Sequence, residues 1–262
     1  SFNSNTVASL TYSTVKTNTA VLAEGVGQSF ALTTATDNTA VAGTTKDDVY
    51  SALVDLATTN STLTSSDNIA AGAGADSLTI TATGADDESV TGVTTSGLES
   101  ILLTNLATAG KGLTIDAALM DGVTSIAVAN STANGDNTFT NVGALAAASM
   151  SANAGDLTLT YGTTVVAGTS DTQALTVTGT NGTFTADGIE TIAITTATSA
   201  ATATVASNAV TNITVSGDQN LTLAATTFAV TTSTATVAST IDASALTGNL
   251  TALEDLNYTP DE

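Results

Sequence analysis

Short runs in which apolar and polar residues alternate recur along most of the chain. Leu78-Thr79-Ile80, Leu113-Thr114-Ile115, Leu157-Thr158-Leu159, Leu175-Thr176-Val177 and Leu221-Thr222-Leu223 are five of them. Period-two alternation places the aliphatic side chains on one face of an extended strand and the threonines on the other. Between these runs lie longer segments built on one plan: Gly97-Leu98-Glu99-Ser100-Ile101-Leu102-Leu103, Gly122-Val123-Thr124-Ser125-Ile126-Ala127-Val128, Gly188-Ile189-Glu190-Thr191-Ile192-Ala193-Ile194 and Ala209-Val210-Thr211-Asn212-Ile213-Thr214-Val215. The isoleucine and the aliphatic residue two places on share a strand face. The first aliphatic lies three places before the isoleucine, so a bend separates it from that face. The pattern predicts Ile101, Ile126, Ile192 and Ile213 pointing inward at equivalent positions of successive coils.

The units begin about 20–25 residues apart, a spacing of stacked repeats. A single coil cannot bury its own apolar edge, so the coils must stack. The expected fold is all-β: a β-solenoid, parallel β-helix-like or β-roll-like. A β-sandwich needs the same alternation, but its strands do not generally share a residue signature. Towards the N-terminus, Phe30-Ala31-Leu32-Thr33 reads as a short strand ending at Asp37-Asn38. Asp47-Asp48 precede Val49, Ala52, Leu53 and Leu56, and that i, i+3, i+4, i+7 spacing predicts a short helix near 48–58, capped by aspartate. Residues 1–28 carry Val7, Leu10, Tyr12, Val15, Val21 and Leu22 without a repeat signature. They read as an extended arm that pairs with, or packs on, a neighbouring subunit, or else folds back as a cap on its own first coil. The chain thus divides into an arm (1–28), a turn-rich segment (29–80) and a repeat region (81–262).

Composition narrows the chemistry. The 262 residues include 24 acidic and three basic ones, for a net charge of −21, with no histidine and no cysteine. Arginine is absent and the lysines are Lys16, Lys46 and Lys111. Phosphate contacts need cations, so nucleic acid is not the expected partner. Cysteine/histidine nucleophiles and thiolate or imidazole metal sites are excluded outright. Carboxylates abound, yet no acid–base constellation accompanies them, and the cluster Asp86-Asp87-Glu88 reads as a solvated turn. An enzyme is not expected. No apolar run approaches a membrane span, and no membrane insertion is expected. No basic, then apolar, leader stands out either. Either a leader was removed, or export uses another signal, or the chain is a fragment.

One segment carries specific chemistry. Ala71-Gly72-Ala73-Gly74-Ala75-Asp76-Ser77-Leu78-Thr79 matches the calcium-binding nonapeptide G-G-x-G-x-D-x-U-x in all but its first glycine. Glycine allows the turn backbone to approach an ion, and the aspartate and carbonyls offer the hard oxygens that Ca²⁺ takes. Ala42-Gly43-Thr44-Thr45-Lys46-Asp47-Asp48-Val49-Tyr50 is a degenerate copy, and Asp37-Asn38 and Asp67-Asn68 precede the two at similar distances. The other reading is a plain turn formed by Gly72 and Gly74 and capped by Asp76.

This order of motifs, followed by Gly-aliphatic-Glu-Ser/Thr-Ile and by Val215-Ser216-Gly217-Asp218-Gln219-Asn220-Leu221 and Ser239-Thr240-Ile241-Asp242, resembles bacterial S-layer proteins and related RTX-type surface proteins exported by type I secretion. The resemblance spans 30–256. It implies an extracellular location on a bacterial cell surface and a calcium-stabilised lattice of identical subunits, with cell-surface glycan as a further partner. Asp37, Asp48, Asp67 and Asp76 carry over as ligands, and Gly43, Gly72 and Gly74 as turn residues. The alternatives are an adhesin, filament or phage-fibre subunit, or an ice- or glycan-binding solenoid displaying Thr79/Thr81, Thr158/Thr160 and Thr176/Thr178.

Overall fold

The computed structural model describes residues 26–38, 42–57, 60–108, 110–133, 135–224, 227–228 and 240–252. Most of the segment read as an N-terminal arm lies outside them. The described residues form nineteen strands and no helix. In chain order these are β1 Ser29–Ala31, β2 Val49–Asp55, β3 Asn68–Ala70, β4 Ser77–Thr83, β5 Glu88–Val90, β6 Thr94–Ser96 and β7 Ser100–Asn105. Then come β8 Lys111–Asp116, β9 Ser125–Ala129, β10 Gly135–Val142, β11 Ala147–Ser151, β12 Leu157–Tyr161 and β13 Thr172–Ala186. The last are β14 Thr191–Ser207, β15 Asn212–Gly217, β16 Leu221–Leu223, β17 Thr227–Phe228, β18 Thr240–Leu246 and β19 Leu250–Ala252.

Every pairing is parallel and joins one coil to the next, which makes the chain a β-solenoid. The first sheet stacks β1, β2, β4, β7, β9, β11, the first half of β13, the first half of β14, β15 and β18. Ten strands at ~4.8 Å give a rod of about 45 Å. The sheet runs without a break through the boundary placed at residue 80. The second sheet stacks β5, β8, β10, β12, the second halves of β13 and β14, β16 and β19. A short third face pairs β3 with β6.

The inward column of the first sheet reads Phe30, Tyr50, Leu78, Ile101, Ile126, Ala148, Leu175, Ile194 and Val215, so one turn takes 19 to 28 residues. Burying one such aliphatic side chain contributes about 1.5–3 kcal/mol, and the alternation supplies two or three per strand. The first aliphatics of the repeats, Leu98, Val123, Ile189 and Val210, are also buried, from around the bend.

All four repeat isoleucines are buried, but they do not share one level. Ile101 stacks on Ile126, and Ile192 on Ile213. The column of the first pair runs on to Ile194, so the pairs sit two residues out of phase. The slot beside Ile192 belongs to Gln173. That amide donates to the Ala146 and Ala174 carbonyls, each at 2.7 Å, and accepts from the buried Tyr161 hydroxyl. A polar pair thus fills the core where the aliphatic repeat slips.

The short helix read near 48–58 is absent among the described residues: Val49–Asp55 form β2 instead. Val49, Ala52, Leu53 and Leu56 fit a helical period, but Tyr50, Ala52 and Val54 also fit a period of two. Stacking Tyr50, Ala52 and Val54 on Leu78, Ile80 and Ala82 of β4 decides between them. A helix in the same place would leave the apolar edge of β4 without a cover.

Candidate functional site

The four aspartates singled out by the motif and its neighbours are all buried: Asp48 and Asp76 are 0% exposed, Asp67 1% and Asp37 5%. They sit at the corners between coils, and what they accept there is backbone N–H. Along the edge where the chain enters the first sheet, Gln28 donates its N–H to Asp48 Oδ1 at 2.5 Å, Asp48 to Asp76 Oδ1 at 2.6 Å, and Asp76 to Glu99 Oε2 at 2.7 Å. Each carboxylate therefore caps the residue one coil before it. A separate corner repeats the device once, with the Asp37 N–H donating to Asp67 Oδ1 at 2.9 Å. The structure thus brings Asp48 together with Asp76, and Asp37 with Asp67. Among the described residues no three acidic side chains converge on one point.

Local sequence sets how much of each carboxylate is used. Thr33 gives Asp37 a backbone N–H at 2.6 Å and its hydroxyl at 3.1 Å. Thr44 does the same for Asp48, at 2.5 and 3.1 Å, and Thr64 for Asp67, at 2.6 and 2.9 Å. A threonine three or four residues upstream thus closes the turn onto the aspartate. Four residues before Asp76 stands Gly72 instead. It brings no hydroxyl, and Asp76 Oδ2 is buried without a hydrogen-bond partner. Of the four aspartates, Asp76 alone keeps an open oxygen.

Gly72 is fixed by the stacking of turns. Its φ of +101° suits glycine, and a Cβ there would meet the Thr44 carbonyl oxygen at 2.2 Å. Gly97, the opening residue of the first repeat segment, stacks in the same column, where a Cβ would meet the Gly72 oxygen at 2.3 Å. Gly43 has the same close fit: a Cβ would lie 1.8 Å from the Ala71 oxygen and 2.7 Å from Tyr50 Oη.

Tyr50 points inward from β2 and its ring stacks on Phe30, with centroids 5.0 Å apart. Its hydroxyl is also buried without a partner. Burial first, then the Asp48 and Asp76 charges, push the phenol up to about 12. Burial also raises Asp76, and the Asp48, Glu99 and Asp47 charges add to the rise, against the lowering effect of the Asp48 N–H. This corner holds an acidic group and a phenol, each with an unsatisfied oxygen.

The motif reading passed over Glu99 and Glu190. Glu99 accepts from Asp76 by its side chain and from Thr124 and Ser125 N–H by its carbonyl. Glu190 accepts the Asp171 N–H at 2.9 Å, and its carbonyl takes Thr211 and Asn212 N–H. The signal was glutamate at the same slot of two repeat copies. The cluster Asp86-Asp87-Glu88 is exposed, as read. There Asp87 takes the Gly112 N–H and the Lys111 ammonium, each at 3.0 Å. The Gly112 N–H first, then Lys111, hold its carboxyl below the usual range.

The first sheet's outward central column reads Ser51, Thr79, Leu102, Ala127, Ser149, Thr176, Thr195 and Ser216. It carries hydroxyls and methyls and no charge. The pairs Thr79/Thr81 and Thr176/Thr178 lie on this face with three strands between them, while Thr158/Thr160 lies on the second sheet, so they form no regular array. No family model, curated protein or solved structure matches this chain.

Proposed function

We propose that the protein is a structural subunit of an extracellular layer on a bacterial cell surface, assembled from identical rods and stabilised by calcium. The observation that carries this reading is the uncharged outward column of the first sheet in a chain of net charge −21. Like-charged copies repel. A strip of Ser, Thr and Ala with one exposed leucine, Leu102, about 35 Å long, offers a side on which rods can pack without bringing carboxylates together. Ca²⁺ then screens and bridges the acidic corners.

Of the four motif aspartates, Asp76 is the one that fits a bound Ca²⁺. Its Oδ2 is open where the corresponding oxygens of Asp37, Asp48 and Asp67 are engaged. Tyr50 Oη is the other unsatisfied oxygen of that corner. These fall short of the six to eight oxygens that Ca²⁺ takes, so turn carbonyls or water would complete the set. Asp37, Asp48 and Asp67 then act as supports that hold the coils in register. A filament is the second reading, favoured by the half-buried Ile241 and Leu250 on the last strands of the two sheets.

Light scattering and negative-stain imaging, with millimolar Ca²⁺ or with chelator, test both. Sheets that form with Ca²⁺ and disperse with chelator support the layer, and unbranched threads support the filament. A monodisperse monomer under both conditions overturns self-assembly. An unchanged melting temperature on adding Ca²⁺ overturns the ion site.

A further inference from the structure

The second sheet stops two coils short of the first. The first sheet continues past β4 through β2 to β1, whereas the second ends at β5, which among the described residues pairs with β8 on one side only. The chain that would supply the next strand is diverted. Thr62 and Leu63 N–H both donate to the Leu53 carbonyl, at 2.7 and 3.3 Å, and the Ser61 hydroxyl takes the Asp55 N–H at 2.9 Å. Residues 60–63 are thereby folded back onto β2. No backbone hydrogen bond joins Glu88–Thr91 to residues 60–66 among the described residues. A groove of about 460 Å³ lies in the gap, lined by Thr34, Ser61, Leu63, Thr64, Glu88 and Val90 among others.

We infer that this step in the solenoid wall is a docking site for an extended, non-acidic peptide of a partner protein, which adds as a strand to the free edge of β5. Main-chain hydrogen bonds from an exposed edge supply affinity in such additions, and alternate side chains supply specificity. Three features choose the occupant. The groove continues an existing parallel ladder, so a strand fits its spacing. Its walls offer hydroxyls on both sides, from Thr34, Ser61, Thr64, Ser89 and Thr91, over a floor of the buried Leu63 and Val90, which suits a Thr-rich strand. Its one charged group is Glu88, which selects a basic residue. A second copy of this chain, with net charge −21, is disfavoured by the same charge. The site does not depend on the assembly reading, and it is testable on monomer in chelator.

The probe is an acetylated TVTKTVT peptide amide, followed by hydrogen exchange of the full chain and by fluorescence anisotropy. Of the Ser89 and Val90 amides, the one that points away from β8 should slow by about tenfold or more at saturation. Glu88→Lys, at an exposed position, should weaken TVTKTVT by about tenfold and turn the preference towards TVTETVT. Ser89→Trp should fill the groove and abolish binding while the circular dichroism spectrum is unchanged. Unaltered exchange at 88–91 overturns the proposal, as does binding that survives Ser89→Trp. Protection that rises with protein concentration alone assigns the edge to a second copy. Protection by cellohexaose and not by peptide assigns it to a glycan. Either of those results also overturns it.

Discussion

Two columns of buried side chains do the same work at opposite edges of the first sheet, with different chemistry. At the entry edge, Asp48, Asp76 and Glu99 accept N–H groups from the preceding coil at 2.5–2.7 Å. At the exit edge, Asn105 donates its N–H to Ser131 Oγ at 2.9 Å, Ser131 to Asn153 Oδ1 at 3.2 Å, and Asn153 to Asn181 Oδ1 at 3.0 Å. Charge shortens and strengthens the first set. It also leaves that set able only to accept, whereas an amide donates as well: Asn153 Nδ2 reaches the Gly155 carbonyl at 2.7 Å. The amide column satisfies itself, while the carboxylate column ends with an open oxygen at Asp76. A buried carboxylate oxygen without a partner recurs in the later coils at Asp171 Oδ2. Left-handed corners fall on glycine in both regions, at Gly72, Gly97 and Gly122 and again at Gly179, Gly188 and Gly217, with Asn130, Asn141, Ala152 and Thr198 added in the later coils.

The core is where the two regions should behave alike, and there the effects are largest. Ile126→Asp and Ile192→Asp each bury a charge without a partner and should cost about 3–5 kcal/mol in urea unfolding. A tolerated substitution at either site would mean the inward column is misplaced.

Exchanging the two chemistries comes next. Asn153→Asp keeps an acceptor for Ser131 but strips the Gly155 carbonyl of its donor and buries a charge, at a cost of about 2–3 kcal/mol at neutral pH. Asp76→Asn keeps the acceptor for Asp48 and removes a buried charge. Its melting temperature should rise at pH 7 in chelator and stop responding to Ca²⁺. A fall would show that the Asp76 carboxylate stabilises the corner as an ion.

The pH response should separate the columns. Asp76 titrates above its unfolded value of 3.8, so its contribution is complete below that value and is lost as pH rises through the folded one. Acidification from pH 7 into the carboxylate range should therefore slow intrinsic-rate-corrected exchange of the Asp48 amide. The Ser131 amide, held by Asn153, should not change. Equal responses would erase the distinction drawn between the columns.

Smaller effects lie at the surface. Thr198 holds φ at +58°, a left-handed conformation that a β-branched residue resists. Thr198→Gly should stabilise by about 0.5–1 kcal/mol in thermal unfolding. Lys111→Ala removes an exposed ion pair. Asp87 keeps the Gly112 N–H, so the melting temperature should stay within error.

Much of this architecture was legible because strand alternation and coil stacking impose local rules. Leu78, Leu113, Leu157, Leu175 and Leu221 all point inward from the strands their alternation announced. The bend before Ile101 was legible from the three-place spacing between Leu98 and Ile101. The region around 48–58 was not, because its apolar residues satisfy two periods at once, and only contact with β4 selects one. The phase slip between Ile126 and Ile192 was hidden as well. It depends on residues 162–171 intervening before Gln173, and on Tyr161 reaching that amide across the core. At the corner, Asp76 was legible as the motif's chemical residue, and the threonines that occupy Asp37, Asp48 and Asp67 were not.

By itself the sequence determined that the chain is a stack of β-coils with a thin aliphatic interior, because a period of two, broken by glycine turns and repeated along the chain, has few other ways to bury its apolar face. It also determined that the chain carries a large negative charge with no imidazole or thiol to do chemistry. The tertiary structure alone decided which N–H groups of a neighbouring coil reach Asp48, Asp67, Asp76 and Glu99, because those donors lie 20 to 30 residues distant in sequence. It decided the uncharged face and the unpaired edge of β5 for the same reason: a column across the coils is set by register, and register depends on how many residues each turn takes.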